Sequence, residues 1–307
     1  MSPRSVRFGA TVAGLAALSL VVAGCGSSDS PPASGAPAAT GKIAVVASTN
    51  VWGSVAQAVG GDAVTVKSII DDPSADPHSY EDKPEDATAL AESRLVVFNG
   101  GGYDDFFTEL VDTSGKDARR INAFEVSGKA DGTNEHVWYD LPTVKAVADK
   151  IAEELGLIAP DKKGSFAGNA RSFDAGLDEL IARAAKIGAD RPGAKVVFTE
   201  PIPEYLLEAA GLTNATPEEF SEAVEEETDP PAAAVGEITD LITGKQVAAL
   251  VNNAQTETPV TKALKDAATK AGVPVVDVTE TLPQGVTSYV DWMTGQVDAL
   301  ASALAKT

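Results

Sequence analysis

Two short polar segments hold both of the chain's histidines, whose side chains are well suited to transition-metal chemistry. His78 lies in 76–81 (DPHSYE), and His136 lies in 134–140 (NEHVWYD). A neutral imidazole nitrogen is a common metal ligand, although a lone histidine more often has a structural role. Both segments carry acidic and aromatic residues, are interpreted as strand-to-helix loops, and precede a predicted helix. We therefore predict that the two histidines contribute to one shared site.

Two carboxylates in the second half of the chain also follow apolar runs. Glu200 comes after 195–199 (KVVFT), and Glu280 comes after 273–278 (VPVVDV). Both runs are typical of buried parallel strands, and ligands bind beyond the carboxyl ends of such strands. Imidazole nitrogens together with carboxylate oxygens suit a divalent first-row metal ion. Taken alone, Glu200 is also compatible with an exposed acid at a helix N-terminus.

The elements that must position these residues alternate between strand and helix along the chain. Short apolar runs predict buried strands at 43–47, 64–70, 95–98, 195–199, 247–251 and 273–278. From 161 to 187, apolar residues keep helical spacing, which predicts one long amphipathic helix. The predicted fold is therefore α/β, with two lobes, each a parallel-rich sheet flanked by helices, joined by that helix. The predicted lobes are 42–160 and 189–307, and the predicted connecting helix is 161–188.

The N-terminal residues are predicted to serve targeting and attachment. Arg4 and Arg7 precede an apolar stretch, 10–22, which is short for a membrane-spanning helix of roughly 20 residues. Residues 22–25 (VAGC) resemble a bacterial lipobox, in which signal peptidase cuts before the cysteine and the thiol is lipidated. We predict a signal peptide at 1–24, lipidation of Cys25 and a flexible Gly/Ser/Pro/Ala-rich tether at 25–41. The predicted location is the extracytoplasmic face of the bacterial cytoplasmic membrane.

Composition and motifs argue against several classes of protein. A formal net charge of −21 argues against nucleic acid as a partner, since phosphate binding needs a basic surface. The single cysteine excludes an internal disulfide. The glycine triplet at 100–102 lacks the spacing of a phosphate-binding loop and indicates a close approach of the backbone to Tyr103 or to the site. The acidic run at 225–227 is interpreted as solvated.

These motifs make the chain similar to the metal-binding lipoproteins of bacterial ABC importers for zinc and manganese, in the cluster with a rigid helix between two lobes. The resemblance extends over roughly residues 42–305. The segment 76–81 matches the first ligand loop of the family. The segment 134–138 departs from the second loop before the histidine, and keeps the histidine and the tryptophan.

The two carboxylates also match positions of that family. Glu200 stands five residues before Tyr205, as the third ligand of the family does. Glu280 fits the fourth position, which precedes a Ser-Tyr pair, here 288–289. The family usually has aspartate at this position, which leaves Asp277 as a rival of Glu280.

The resemblance implies a site of four ligands, His78, His136, Glu200 and Glu280, that carries one divalent ion, Zn²⁺ or Mn²⁺, as cargo. It implies delivery of the ion to a membrane permease driven by an ATPase, by a monomeric protein without catalytic activity. A binder of an organic solute or of a chelated metal is the alternative. A metallohydrolase is less favoured, because four protein ligands leave no position for water and the chain has neither HExxH nor GxSxG.

Overall fold

The computed structural model describes residues 41–73, 75, 80–226 and 228–305. The predicted signal peptide, Cys25, nearly all of the predicted tether and His78 lie outside the described residues. Within them, Gly41 to the C-terminal helix forms one compact unit. None of the helices in these ranges is long and apolar enough to cross a membrane.

Two four-stranded parallel sheets form the centre of the two lobes, and each belongs to one half of the chain. The elements of the first half are β1 (Ile43–Thr49), α1 (Asn50–Gly60), β2 (Val64–Ile70), α2 (Pro84–Glu92), β3 (Leu95–Phe98), α3 (Asp105–Ser114), β4 (Arg119–Asn122), α4 (Ala123–Ser127) and α5 (Leu141–Ile158). Its strand order is β2-β1-β3-β4. The central strands β1 and β3 are almost continuously apolar, because helices cover both faces of the sheet.

The second half repeats this arrangement after a long helix, α6 (Lys163–Asp190). Its elements are β5 (Lys195–Phe198), α7 (Glu204–Ala209), β6 (Thr213–Asn214), α8 (Glu218–Glu225), α9 (Ala232–Thr243), β7 (Ala249–Asn253), α10 (Pro259–Ala271), β8 (Val275–Val278) and α11 (Tyr289–Leu304). Its strand order is β6-β5-β7-β8, again parallel. The predicted α/β fold with two parallel sheets and one connecting helix is confirmed.

The sequence pattern did not reveal the edge strands β4 and β6. The strand β4 has the sequence RRIN and β6 has only two residues, so neither forms an apolar run. Both are defined by the backbone hydrogen bonds that they make to β3 and β5. An edge strand has one free side and tolerates such polar residues.

The predicted apolar stripe of α6 is buried. Its members recur every three or four residues: Phe166, Ala170, Phe173, Leu177, Leu180, Ala184 and Ile187. The helix packs on α1 and α5 of the first half and on α7 and α11 of the second half. One hydrophobic core includes this stripe together with strand residues of both sheets, such as Val45 and Val196. The helix is therefore buried against both halves of the chain.

Candidate metal site

Three neighbouring strands of the second sheet end at the same edge and bring polar side chains together there. Since β5, β7 and β8 are parallel and adjacent, the residues at and just beyond their carboxyl ends lie close together. These residues are Glu200, Asn253 and Glu280. Glu200 is 8% exposed and Glu280 is 2% exposed, so two predicted ligands from distant parts of the sequence are both buried at this edge.

The amide of Asn253 connects the two carboxylates. Its Nδ2 donates to Glu200 Oε2 at 2.6 Å and to Glu280 Oε1 at 2.9 Å. The hydroxyl of Thr256 donates to the other oxygen of Glu200. The backbone N–H of Glu280 donates to Gln255 Oε1. The Asn253 amide and the Thr256 hydroxyl thus orient the carboxylates without cancelling their negative charge, because both groups are neutral.

Tyr103 reaches this edge from the first half of the chain. Its hydroxyl donates to Glu280 Oε2 at 3.0 Å, while its ring lies edge-on to His136, with 5.8 Å between centroids. The glycine triplet precedes it, and Gly100 and Gly101 have φ values of 73° and 71°. A Cβ on Gly100 would lie 2.2 Å from Asn122, and one on Gly101 would lie 2.7 Å from Phe124. The backbone thus makes a close approach, but to Asn122 and Phe124 rather than to Tyr103.

Asp104 holds the glycine turn in place. It is fully buried, and its two oxygens accept the backbone N–H groups of Asn99 and Gly100, both at 2.7 Å. Burial raises the pKa of Asp104, while these two N–H groups act in the opposite direction. The turn that presents Tyr103 is therefore braced by a carboxylate at its base.

His136 is 1% exposed and lies beside Tyr103 and Trp138. The sequence predicted that His136 directly follows a strand, but α4 and a short loop separate it from β4. On its other side, a single 3₁₀ turn (Val137–Tyr139) separates it from α5. Its Nδ1 lies 2.7 Å from Asn134 Oδ1. Asn134 donates through Nδ2 to the carbonyl of Pro201, so its oxygen faces the imidazole. Nδ1 is therefore the donor, and Nε2 is the atom able to bind a cation.

Glu225, the last residue of α8, corrects an interpretation of the sequence. The run at 225–227 was expected to be solvated, but the side chain of Glu225 is only 21% exposed and its Oε1 lies 3.6 Å from His136 Nε2. Glu135 joins them, and one ligand atom from each of these three residues lies within 4.8 Å of the other two. Short-range sequence patterns contain no signal for this contact, because α8 approaches His136 from the other half of the chain.

Burial and the neighbouring carboxylates raise the pKa of Glu225. Burial, followed by the negative charges of Glu135, Glu200 and Glu280, raises the pKa of Glu225 to about 9. An assembly of this many carboxylates favours either a bound proton or a bound cation. The region is therefore electrostatically suited to a positive ion.

Asp277, the rival of Glu280, lies away from this cluster. Its side chain is exposed, and its Oδ1 accepts hydrogen bonds from Lys265 at 2.9 Å and from Asn252 at 2.8 Å. The structure thus brings His136, Glu200 and Glu280 into one region around Tyr103 and Asn253, with Asp277 outside it. Sequence reasoning missed Asn253 and Glu225, although the Asn-Asn pair at the end of an apolar strand was a visible signal for the former.

Two parallel α/β sheets joined by one long helix, with histidine and carboxylate side chains where the halves meet, define a two-lobed solute-binding protein of the metal-ion class. The chain belongs to the ZnuA family, described as zinc-uptake complex component A periplasmic, whose model matches residues 45–303. It is therefore an extracytoplasmic substrate-binding protein of a metal ABC transporter and not an enzyme. The resemblance seen in the sequence is confirmed.

Curated relatives are named as metal-transport proteins, and solved structures share the fold. The iron ABC transporter substrate-binding lipoprotein MtsA of Streptococcus pyogenes is 26% identical over 211 residues, which cover 60% of this chain and 68% of MtsA. The periplasmic zinc-binding protein TroA of Treponema pallidum has a TM-score of 0.73 at 20% identity, covering 86% of this chain and 99% of TroA. FpvC of Pseudomonas aeruginosa, solved with Mn²⁺, has a TM-score of 0.72 at 20% identity, covering 86% and 99% of the two chains. These two structures share the fold.

Proposed function

We propose that this protein captures one divalent transition-metal ion, Mn²⁺ or Zn²⁺, through His78, His136, Glu200 and Glu280 and delivers it to the permease of an ABC importer. The permease would be driven by its ATPase. In this proposal the lobes are 42–160 and 189–307, and the connecting helix, 161–188, limits how far they move when the ion binds. A long helix that packs against both halves favours a small closure over a wide hinge motion.

The observation that supports this most directly is the pair of buried carboxylates, Glu200 and Glu280, connected by Asn253. Burying a carboxylate in a protein is costly unless its charge is compensated. A divalent cation between Glu200, Glu280 and the Nε2 atom of His136 would provide that compensation. The hydrogen bonds to the remaining oxygen and nitrogen atoms would orient the ligands, as outer-shell partners do in metal sites.

Attachment to the membrane is the second part of the proposal. Cleavage before Cys25 and lipidation of its thiol would anchor the protein on the outer face of the cytoplasmic membrane, with the tether 25–41 giving the domain reach. MtsA is described as a lipoprotein, which supports this reading. We further propose that the protein acts as a monomer, because one chain supplies all four ligands.

The first test is metal analysis of the chain from Ser27 onward, purified without a tag. Mass spectrometry should find about one equivalent of metal per chain, and calorimetry of the stripped protein should detect Mn²⁺ and Zn²⁺ binding. Glu200→Ala, His78→Ala and His136→Ala should each weaken binding strongly. The matched control is Asp277→Ala, which removes an exposed carboxylate of the same sheet and should leave the affinity unchanged.

Two outcomes would reject the proposal. If the stripped protein binds neither ion, the four-ligand site is wrong, and an organic solute or chelated metal becomes the better hypothesis. If both histidine variants keep full affinity, the ion is bound elsewhere. If the protein binds both ions, uptake assays in cells starved of each metal identify the cargo. Affinity alone does not identify it, since zinc binds such sites more tightly than manganese whichever ion is transported.

A further inference from the structure

We propose that Glu225 is an additional ligand of the captured ion and that it favours Mn²⁺ over Zn²⁺. This inference rests on the proposed function, because it concerns the same ion. It adds to the four ligands a residue that the family resemblance did not indicate, carried by a helix of the second half of the chain.

The Nε2 atom of His136 and the Oε1 atom of Glu225 face each other. Asn134 fixes the Nδ1 atom of His136 as a donor, so Nε2 presents its lone pair toward Glu225 Oε1 at 3.6 Å. Ligand nitrogen and oxygen atoms lie about 2.0–2.2 Å from a first-row ion, so two ligands of one ion are at most about 4.3 Å apart. The observed separation therefore allows one ion to contact both atoms.

The Glu225 oxygen that faces His136 lies in a buried environment. Glu225 Oε1 is buried and has no hydrogen-bond partner among the described residues. A buried carboxylate oxygen without a donor is costly, and a cation beside it would remove that cost. Glu225 also lines the same cavity as Glu200, one of the two proposed carboxylate ligands.

Glu225 lies between two cavities of the protein. It lines a cavity of about 570 Å³ that also contacts Glu200, Gln255 and Thr256. It also lines a second cavity of about 490 Å³ that contains Glu135, Glu204 and Glu222. Glu225 is thus a residue that an ion arriving from either cavity would meet beside His136.

The consequence concerns the choice of metal. Zinc prefers four ligands in tetrahedral geometry, whereas manganese accepts six and prefers oxygen. With Glu200, Glu280 and Glu225, three carboxylates would contact the ion beside the imidazole of His136, so oxygen donors would be the majority of these ligands. Glu225 would therefore contribute more to the affinity for Mn²⁺ than to that for Zn²⁺.

The test compares Glu225→Gln with Glu226→Gln by calorimetry on the stripped full domain, titrated with Mn²⁺ alone and with Zn²⁺ alone. Glu226 is the matched control, because it is the next residue, is exposed and loses the same charge. In Glu225→Gln we expect Mn²⁺ affinity to fall at least about tenfold and Zn²⁺ affinity to change less than about threefold. Glu226→Gln should leave both affinities within about twofold.

The possible outcomes separate the two proposals. Equal loss of both affinities in Glu225→Gln would mean that Glu225 only positions His136, and no loss would mean that it is only an ion-pair partner of that histidine. Either result overturns the role in selectivity while leaving the capture function intact. If the wild-type protein binds neither ion, the proposed function itself fails.

Discussion

At the scale of single residues, amide side chains determine which atoms face the site. Asn134 sets the tautomer of His136, and Asn253 holds Glu200 and Glu280 with one nitrogen. An amide has both donors and acceptors, so it can orient an imidazole or a carboxylate without adding charge. Such outer partners control the affinity of metal sites because they limit the motion of the ligands.

The first prediction concerns Asn253. Asn253→Ala should weaken metal affinity by about 10- to 100-fold, since both carboxylates lose the donor that they share. The control is Asn252→Ala, because Asn252 is the adjacent buried amide of the same strand and donates to Asp277 instead. Calorimetry should find the control within about twofold of wild type. Equal effects of the two changes would argue against a specific role of Asn253.

The second prediction concerns the pH dependence of stability at Glu154 on α5. Burial alone would raise the pKa of Glu154, but the hydrogen bonds and charges of Arg119 and Lys150 outweigh it and lower the pKa. A lowered folded-state pKa stabilises the protein above the ordinary pKa of glutamate, about 4.3. This stabilisation disappears as the pH falls through the lower folded-state value.

Urea unfolding of Glu154→Gln and wild type from pH 7 down to pH 3.5 tests this. The gap between their unfolding midpoints should be largest at pH 7 and should shrink as the pH falls below about 4.3. Glu153→Gln, which removes an exposed carboxylate beside the same Lys150, should show little difference from wild type at any pH. A gap that is constant with pH would show that the ion pair is not its source.

At the scale of elements, α6 meets the second half of the chain through a glycine. A Cβ on Gly188 would lie 2.3 Å from the carbonyl oxygen of Ala210 and 3.1 Å from Gly211 Cα. Backbone atoms cannot move aside as a flexible side chain can, so only glycine allows this approach of α6 to the end of α7. The contact therefore holds α6 tightly against the chain just after α7.

The third prediction compares the stability of alanine variants at two glycines of α6. Gly188→Ala should destabilise the protein by roughly 1–3 kcal/mol, because the added methyl group overlaps the backbone. Gly168→Ala should stabilise it by up to about 1 kcal/mol, because alanine is the better helix former and the methyl group meets only Arg171, at 3.9 Å. Denaturant midpoints measure both. A Gly188→Ala variant with the same midpoint as wild type would show that α6 and the end of α7 can move apart without loss of stability.

At the scale of the whole molecule, the last helix connects the two halves. Although α11 follows the second sheet, Tyr289 at its start donates through its hydroxyl to the carbonyl of Trp138 at 2.5 Å. Ser54 of α1 accepts the backbone N–H of Tyr289 at 2.8 Å and donates to the carbonyl of Thr287 at 3.0 Å. These bonds, together with the shared core around α6, join the first half to the end of the chain.

The fourth prediction is therefore a single cooperative unfolding transition for the domain from Gly41 onward. A core shared between both sheets means that neither lobe can unfold without exposing the apolar surface of the other. Far-ultraviolet circular dichroism and the fluorescence of Trp52, Trp138 and Trp292 should give the same urea midpoint. Two separated transitions would mean that the lobes are independently stable.

The sequence by itself determined the class of fold, the central strands and the long helix, because these depend on apolar periodicity that is local along the chain. It also predicted that Glu200 and Glu280 lie at one edge of the second sheet, since residues just after adjacent parallel strands share that edge. Local pattern could not reveal β4 and β6, which are strands only because neighbouring strands pair with them.

Only the tertiary structure decided that Glu225 is near His136 and that Asp277 is exposed. Glu225 belongs to an acidic run that looks solvated in sequence, whereas Asp277 lies in an apolar strand and was a rival of Glu280 as a ligand. The environment of such a residue depends on which helix packs over it and which side of a strand it occupies, and these are properties of the folded chain. Charge and spacing predicted which residues could bind a cation, and packing between distant elements decided which of them lie together.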